Sequence, residues 1–175
     1  MHCMTKVGVG IILVCLLQSL CFGNSKTGYQ QEALTLHNFY RAKHLTPALV
    51  LNDSLNSLAS QCAEYYSEKG FLDHSCPHKN ATTTGENAFG LKGHWEAEEL
   101  TKIAINTWYD EGINYNYSEA VFSKKTGNFT QLLWAYTREL GFSFCNSNAY
   151  YVVVALYTPK GNARGHFENN VLPII

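Results

Sequence analysis

Gly127-Asn128-Phe129-Thr130-Gln131-Leu132-Leu133-Trp134, with the two apolar runs at 140–145 and 150–157 that follow it, decides the fold. Residues 129–134 have the spacing of a short helix. The two runs are strand-like, rich in Val, Tyr and Phe, and are joined through Asn146-Ser147-Asn148, a turn-type sequence. Pro159 and Gly161 close the second run. Working upstream, residues 30–43 carry Ala33, Leu34, Leu36, Phe39 and Tyr40 at helical spacing, and Pro47 stops them. Asn52 or Asp53 can cap a second helix, with Leu55, Leu58, Ala59, Cys62, Ala63 and Tyr66 as its apolar stripe and Gly70 as its end. Residues 73–84 are polar and form a loop. A third helix, predicted over about 96–109, turns Leu100, Ile103, Ala104 and Trp108 inward, and an aromatic loop follows to Thr126. Stripes of this kind are buried by placing helices on either side of a small sheet. The expected class is therefore α+β, a three-layer α-β-α sandwich.

The amino terminus points to a secretory route. Lys6 precedes an apolar run over 7–20 that is interrupted only by Gln18 and Ser19. At roughly 14 residues the run suits a signal peptide and falls short of the ~20 that a membrane span requires. Cleavage is expected after Gly23, giving a signal peptide over 1–23, a short lead over 24–31 and one domain over 32–175. No second apolar run is long enough to span a membrane. Asn-x-Ser/Thr sequons at Asn52, Asn80, Asn116 and Asn128 fit the same route. The formal net charge is −1 and there is no basic stripe, so nucleic-acid binding lacks its electrostatic footing. Apolar residues make up 46% of the chain and aromatics 13%, a composition for a packed core rather than disorder. Of six cysteines, Cys62, Cys76 and Cys145 remain after the leader, enough for one disulfide in any of three pairings. Cys62 sits in the apolar stripe as a small hydrophobe, so Cys76–Cys145 is the preferred pair.

Five segments, in order, resemble one family. Residues 127–134 are similar to the signature Gly-His-Phe-Thr-Gln-φ-φ-Trp (φ apolar) of the CAP superfamily, the cysteine-rich secretory, antigen 5 and pathogenesis-related group. His37-Asn38-Phe39-Tyr40-Arg41 resembles its first-helix His-Asn-x-x-Arg motif, and Gly85-Glu86-Asn87-Ala88 its Gly-Glu-Asn-φ motif. Residues 153–162 resemble the last-strand motif, with Ala155 and Leu156 in place of the Cys and polar residue of many members. The tail Gly165-His166-Phe167-Glu168-Asn169-Asn170-Val171-Leu172-Pro173 is similar to the Golgi-associated pathogenesis-related subgroup. The resemblance implies the CAP/SCP sandwich and a central cleft with two His and two Glu. By motif these fall on His74, Glu86, Glu111 and, for the second His, Asn128.

Asn128 changes the expected chemistry. An amide oxygen is a poor zinc ligand and does not titrate near neutral pH, so His74 alone makes a weak metal ligand and no cofactor is expected. A harder ion held by Glu86, Glu111 and Asn128 is the other metal option. His78 and Cys76 lie near His74 without a zinc spacing. The Asn128 sequon is expected to stay unmodified, because folding restricts access to it.

Three function classes follow. A hydrolase would need a nucleophile, a base and an oxyanion stabiliser; His74 with a Glu supplies a base and its orienter, but no Gly-x-Ser-x-Gly elbow or His-Glu-x-x-His helix is present. Lipid binding has more support, since Tyr109, Tyr115, Tyr117 and Phe122 crowd the loop that contacts sterol in sterol-binding relatives. A glycan at Asn116 would hinder that contact. The third class is an extracellular defence or venom-type effector acting on a protein receptor. The leading expectation is a secreted, non-enzymatic carrier of sterol or fatty acid.

Overall fold

A computed structural model describes residues 20–22, by backbone alone, and residues 28–174. Most of the predicted signal peptide and lead therefore lies outside the described residues. The exceptions are Leu20–Phe22 (β1), lying antiparallel to a later strand with Cys21 opposite Cys145, and residues 28–31 of the lead, which begin the first helix. Then come helix α1 (Gly28–Lys43), strand β2 (Val50–Leu51), helix α2 (Asp53–Lys69), strand β3 (Gly85–Lys92) and helix α3 (Ala97–Asp110). Two 3-10 turns (Glu111–Asn114 and Tyr117–Glu119) lead to helix α4 (Gly127–Leu133) and the strands β4 (Glu139–Ser147) and β5 (Tyr150–Thr158).

The sheet runs β1-β4-β5-β3, and β2 pairs in parallel with the start of β4. Its centre is buried on both faces, as the unbroken apolar run of β5 requires. Val153, Ala155 and Tyr157 point into the core shared with α1, α3 and α4, together with Phe142 and Phe144 of β4. Val152, Val154 and Leu156 point the other way, onto Ala59, Cys62, Ala63 and Tyr66 of α2. The three-layer sandwich follows directly from this two-sided burial. Gly141 lets α2 approach closely, since a Cβ there would lie 2.2 Å from the Leu55 carbonyl carbon.

Asn52 is the N-cap of α2, its side chain accepting from the Leu55 N–H, and Gly70 ends the helix in the left-handed region at φ 80°. The β4–β5 hairpin turns on Asn148 and Ala149, at φ 52° and 60°, one residue later than the sequence places the turn. Neither β2 nor β3 is predicted from the sequence.

The disulfide differs from expectation. Cys76 pairs with Cys62, with 5.4 Å between Cα atoms, and Cys145 is itself disulfide-bonded, to neither of them. All three sulfurs share the apolar layer beneath α2. Cys62 faces the sheet as its position in the stripe implies, and the loop after α2 folds back over it and brings Cys76 within bonding reach.

Candidate functional site

The family motifs build the site as one hydrogen-bonded network. His37 Nδ1 lies 2.7 Å from the Ala33 carbonyl, which only accepts, so Nδ1 carries the proton. His37 Nε2 then accepts from the Tyr157 hydroxyl at 2.8 Å. The Tyr157 oxygen accepts from Asn87 Nδ2 (3.1 Å), which also donates to the Asn128 carbonyl (2.9 Å). Desolvation by burial lowers the His37 pKa to about 4, so the neutral ring that this pattern needs is the stable form at pH 7. Arg41, the other end of the first-helix motif, is fully buried with no carboxylate partner. It donates to the carbonyls of Pro47, Leu132, Trp134 and Thr137. Asn38 clamps Leu49 in both directions. Thr130 and Gln131 of α4 bind Asn162 and Gly161 beyond β5. Most of the resemblance is therefore carried by residues that position the cleft rather than line it.

The cleft itself, about 670 Å³, lies between the loop after α2 and the start of α4. His74, Glu86 and Asn128 line it together. His74 stands at φ 61°, its side chain 58% exposed, and its Nδ1 donates to Glu86 Oε1 at 2.7 Å. Glu86 is almost sealed, and Lys79, equally buried, places its ammonium 2.8 Å from Oε2. The Tyr66 hydroxyl donates to Oε1 at 3.1 Å while accepting from the Cys76 N–H. Burial alone would raise the Glu86 pKa, but the hydrogen bonds and charges of His74 and Lys79 prevail and lower it.

Glu111 stands behind Asn128 rather than on the cleft wall. Its carboxylate accepts from Asn128 N, Phe129 N and Asn128 Nδ2, the last at 2.7 Å, and so caps the first turn of α4. Desolvation raises its pKa despite these three donors. The half-buried Asn128 side chain is held on Glu111 through its Nδ2, which leaves Oδ1 outside this contact.

The aromatic loop divides into two halves. Tyr109 turns inward, stacked 3.8 Å from Tyr40 with its hydroxyl on His44 Nε2, and Tyr115 is buried against Phe129. Tyr117 and Phe122 face outward, beside the exposed Ile113 and Val121, and Phe122 also lines the cleft. The sequons separate similarly: Asn80 and Asn116 are exposed, whereas Asn52 and Asn128 are half-buried and Asn128 Nδ2 is tied to Glu111.

Sequence reasoning missed the lysines. Lys79, Lys124 and Lys160 line the cleft, and of its two carboxylates Glu86 is taken by Lys79 and Asp73 by Lys69 at 2.6 Å. The mouth is therefore positive. Nothing in the sequence flagged these residues, because they come from three loops with no periodicity in common. The residues do not fit a zinc centre either. Glu86 already holds a cation, Cys76 is oxidised, Asn128 offers only an amide oxygen, and no trio of His, Cys, Asp and Glu among the described residues is grouped to hold a metal.

Comparison with known proteins agrees with this geometry. Residues 34–157 match the model of the cysteine-rich secretory protein family, CAP. The chain belongs to that family. It is 37% identical over 149 residues to the human Golgi-associated plant pathogenesis-related protein 1, covering 83% of this chain and 93% of that protein. It is 32% identical over 144 residues to Protein PRY2 of Saccharomyces cerevisiae, covering 79% of this chain but only 39% of the yeast protein. Among solved structures, Na-ASP-1 shares the fold at a TM-score of 0.67 with 20% identity, over 84% of this chain and 42% of that one. The structure of NaASP2 with Zn2+ shares it at 0.61 with 19% identity, over 83% and 87%. No helix among the described residues is long and apolar enough to cross a membrane.

Proposed function

We propose that this CAP protein is a secreted, non-enzymatic carrier of sterol or fatty acid, with no metal in its cleft. The carrying observation is the outward half of the aromatic loop. Ile113, Tyr117, Val121 and Phe122 expose apolar surface within ten residues of one another, and Phe122 continues that surface into the cleft. Water-exposed apolar side chains gathered in one place are costly unless a ligand or surface covers them. The lysines at the mouth suit the polar head of a lipid whose body lies along the loop.

The enzymatic alternative has less support. His74 and Glu86 are arranged as a base and its orienter, but the carboxylate is neutralised by Lys79, and the neighbouring Ser75 hydroxyl is bonded to Asp73 at 2.6 Å instead of to His74.

The test is equilibrium binding of labelled sterol and labelled fatty acid to the secreted protein, with EDTA and with added zinc. Saturable binding that metal does not alter is expected. Tyr117→Ala with Phe122→Ala should abolish it while leaving the thermal unfolding transition in place, since both side chains are already exposed. Unchanged affinity in that double variant would remove the loop from the proposal, and absence of binding to wild type would favour an effector acting on a protein partner.

A further inference from the structure

A second concavity, of about 700 Å³, opens where the carboxy-terminal tail crosses the ends of β4 and β5. Its apolar lining comes mainly from Pro47, Trp134, Tyr136 and Pro159. This lining is fixed. Trp134 is 2% exposed and held edge-on by Phe167 at 5.0 Å. Asn170 clamps the wall opposite, its carbonyl accepting from the Ala135 N–H and its Oδ1 from the Tyr136 N–H, both at 2.9 Å.

The groove's charge is one-sided. Arg138, Lys160 and His166 line it, and among the described residues no carboxylate does. Arg138 spends Nη1 on the carbonyls of Ala135 and Thr137, and its guanidinium lies 5.8 Å from the Tyr136 ring. Neither its Nη2 nor its Nε has a hydrogen-bond or ion-pair partner among the described residues. Lys160 gives one N–H to the Ala81 carbonyl at 2.6 Å and keeps two. A preformed apolar slot with unspent cationic donors is complementary to an anion that carries a rigid apolar body. A rigid body is favoured over a flexible chain because the apolar lining is made mainly of ring side chains and a ring system loses little conformational entropy on binding.

We infer that this groove is a second ligand site, for a ring-bearing carboxylate, sharing only Lys160 with the first cleft. The aromatic or alicyclic body lies against Trp134 and Tyr136, and the acid group is directed to Arg138 and Lys160. The test uses naphthoate as the probe and naphthylmethanol as its neutral counterpart, titrated into the secreted protein by calorimetry with NMR detection of amide and indole resonances. Naphthoate should bind saturably, at least about tenfold tighter than the alcohol, and shift the Trp134 indole and Tyr136 amide signals. That factor is the scale of one charge-assisted hydrogen bond. Arg138→Gln and Tyr136→Ala should each weaken binding by about tenfold. Tyr136 is 64% exposed, so its truncation leaves the core intact. Lys124→Gln, in the other cleft only, should change nothing. Equal affinity for acid and alcohol, no saturable binding, or loss on Lys124→Gln with Arg138→Gln unaffected would each overturn the assignment.

Discussion

At the scale of single residues, the chemistry of the cleft turns on Lys79, which delivers a fixed positive charge to a carboxylate that is itself almost sealed from water. Breaking a buried pair by removing one member costs far more than forming it gains. Lys79→Met is therefore expected to destabilise the protein by about 3–5 kcal/mol in urea unfolding; a loss below about 1 kcal/mol would show that solvent already reaches the pair. The lowered pKa of Glu86 gives a stability contribution that is present above the ordinary carboxylate range and is lost as pH falls through the folded value. Lys79→Met should flatten that acid limb. His37 titrates in a higher window. Its folded pKa of about 4 lies below the ordinary imidazole value, so its contribution is complete above about pH 6.5 and declines as pH falls towards 4. The loss amounts to about 3 kcal/mol over that window, by the free-energy equivalent of the shift. His37→Gln should be less stable at pH 7 yet lose this slope between pH 6.5 and 4; an unchanged slope would place the titration elsewhere. His37 was legible as a hydrogen-bonded packing residue from its motif, whereas Lys79 was not, because nothing local to residues 73–84 indicates that the loop folds its lysine inward.

At the scale of elements, the helices follow their stripes and caps closely, and the strands only in part. Helix α2 begins at the predicted cap and ends at the predicted glycine because both signals act within one turn of the chain. Strand β3 has no such signal. Gly85-Glu86-Asn87-Ala88-Phe89-Gly90 neither alternates nor is rich in β-branched residues, and it is extended because β5 offers it a ladder. The hairpin that joins β4 to β5 holds Ala149 at φ 60°, where a Cβ is strained. Ala149→Gly should therefore stabilise the protein by up to about 1 kcal/mol in thermal unfolding; a decrease would show that the methyl group contributes packing that outweighs the strain. The Cys62–Cys76 bridge closes a loop of 14 residues. Its removal by Cys62→Ser with Cys76→Ser should cost about 2–4 kcal/mol under oxidising conditions. Because the Cys76 N–H holds the Tyr66 hydroxyl that donates to Glu86, the same variant should loosen His74, seen as a broadened imidazole resonance. A sharp, unshifted signal would separate the disulfide from the cleft.

At the scale of the whole molecule, the motifs cooperate through a buried polar frame. Arg41 ties α1 to the end of α4, His37 and Asn87 meet at Tyr157, and Glu111 holds the first turn of α4. Such a frame is stable only when every member is satisfied. The sequence by itself determined the class of fold, the helix limits, the central strand pair, and His74, Glu86 and Asn128 as residues of one cleft with Glu111 behind them. These are encoded by periodicity, caps and short motifs, all local signals. Only the tertiary structure decided the Cys62–Cys76 pairing, the inward packing of Tyr109 and Tyr115 against the exposure of Tyr117 and Phe122, and the convergence of Lys79, Lys124 and Lys160 on one opening. Each of these depends on distances between segments far apart in the chain, which are set when the layers pack and have no counterpart in local spacing.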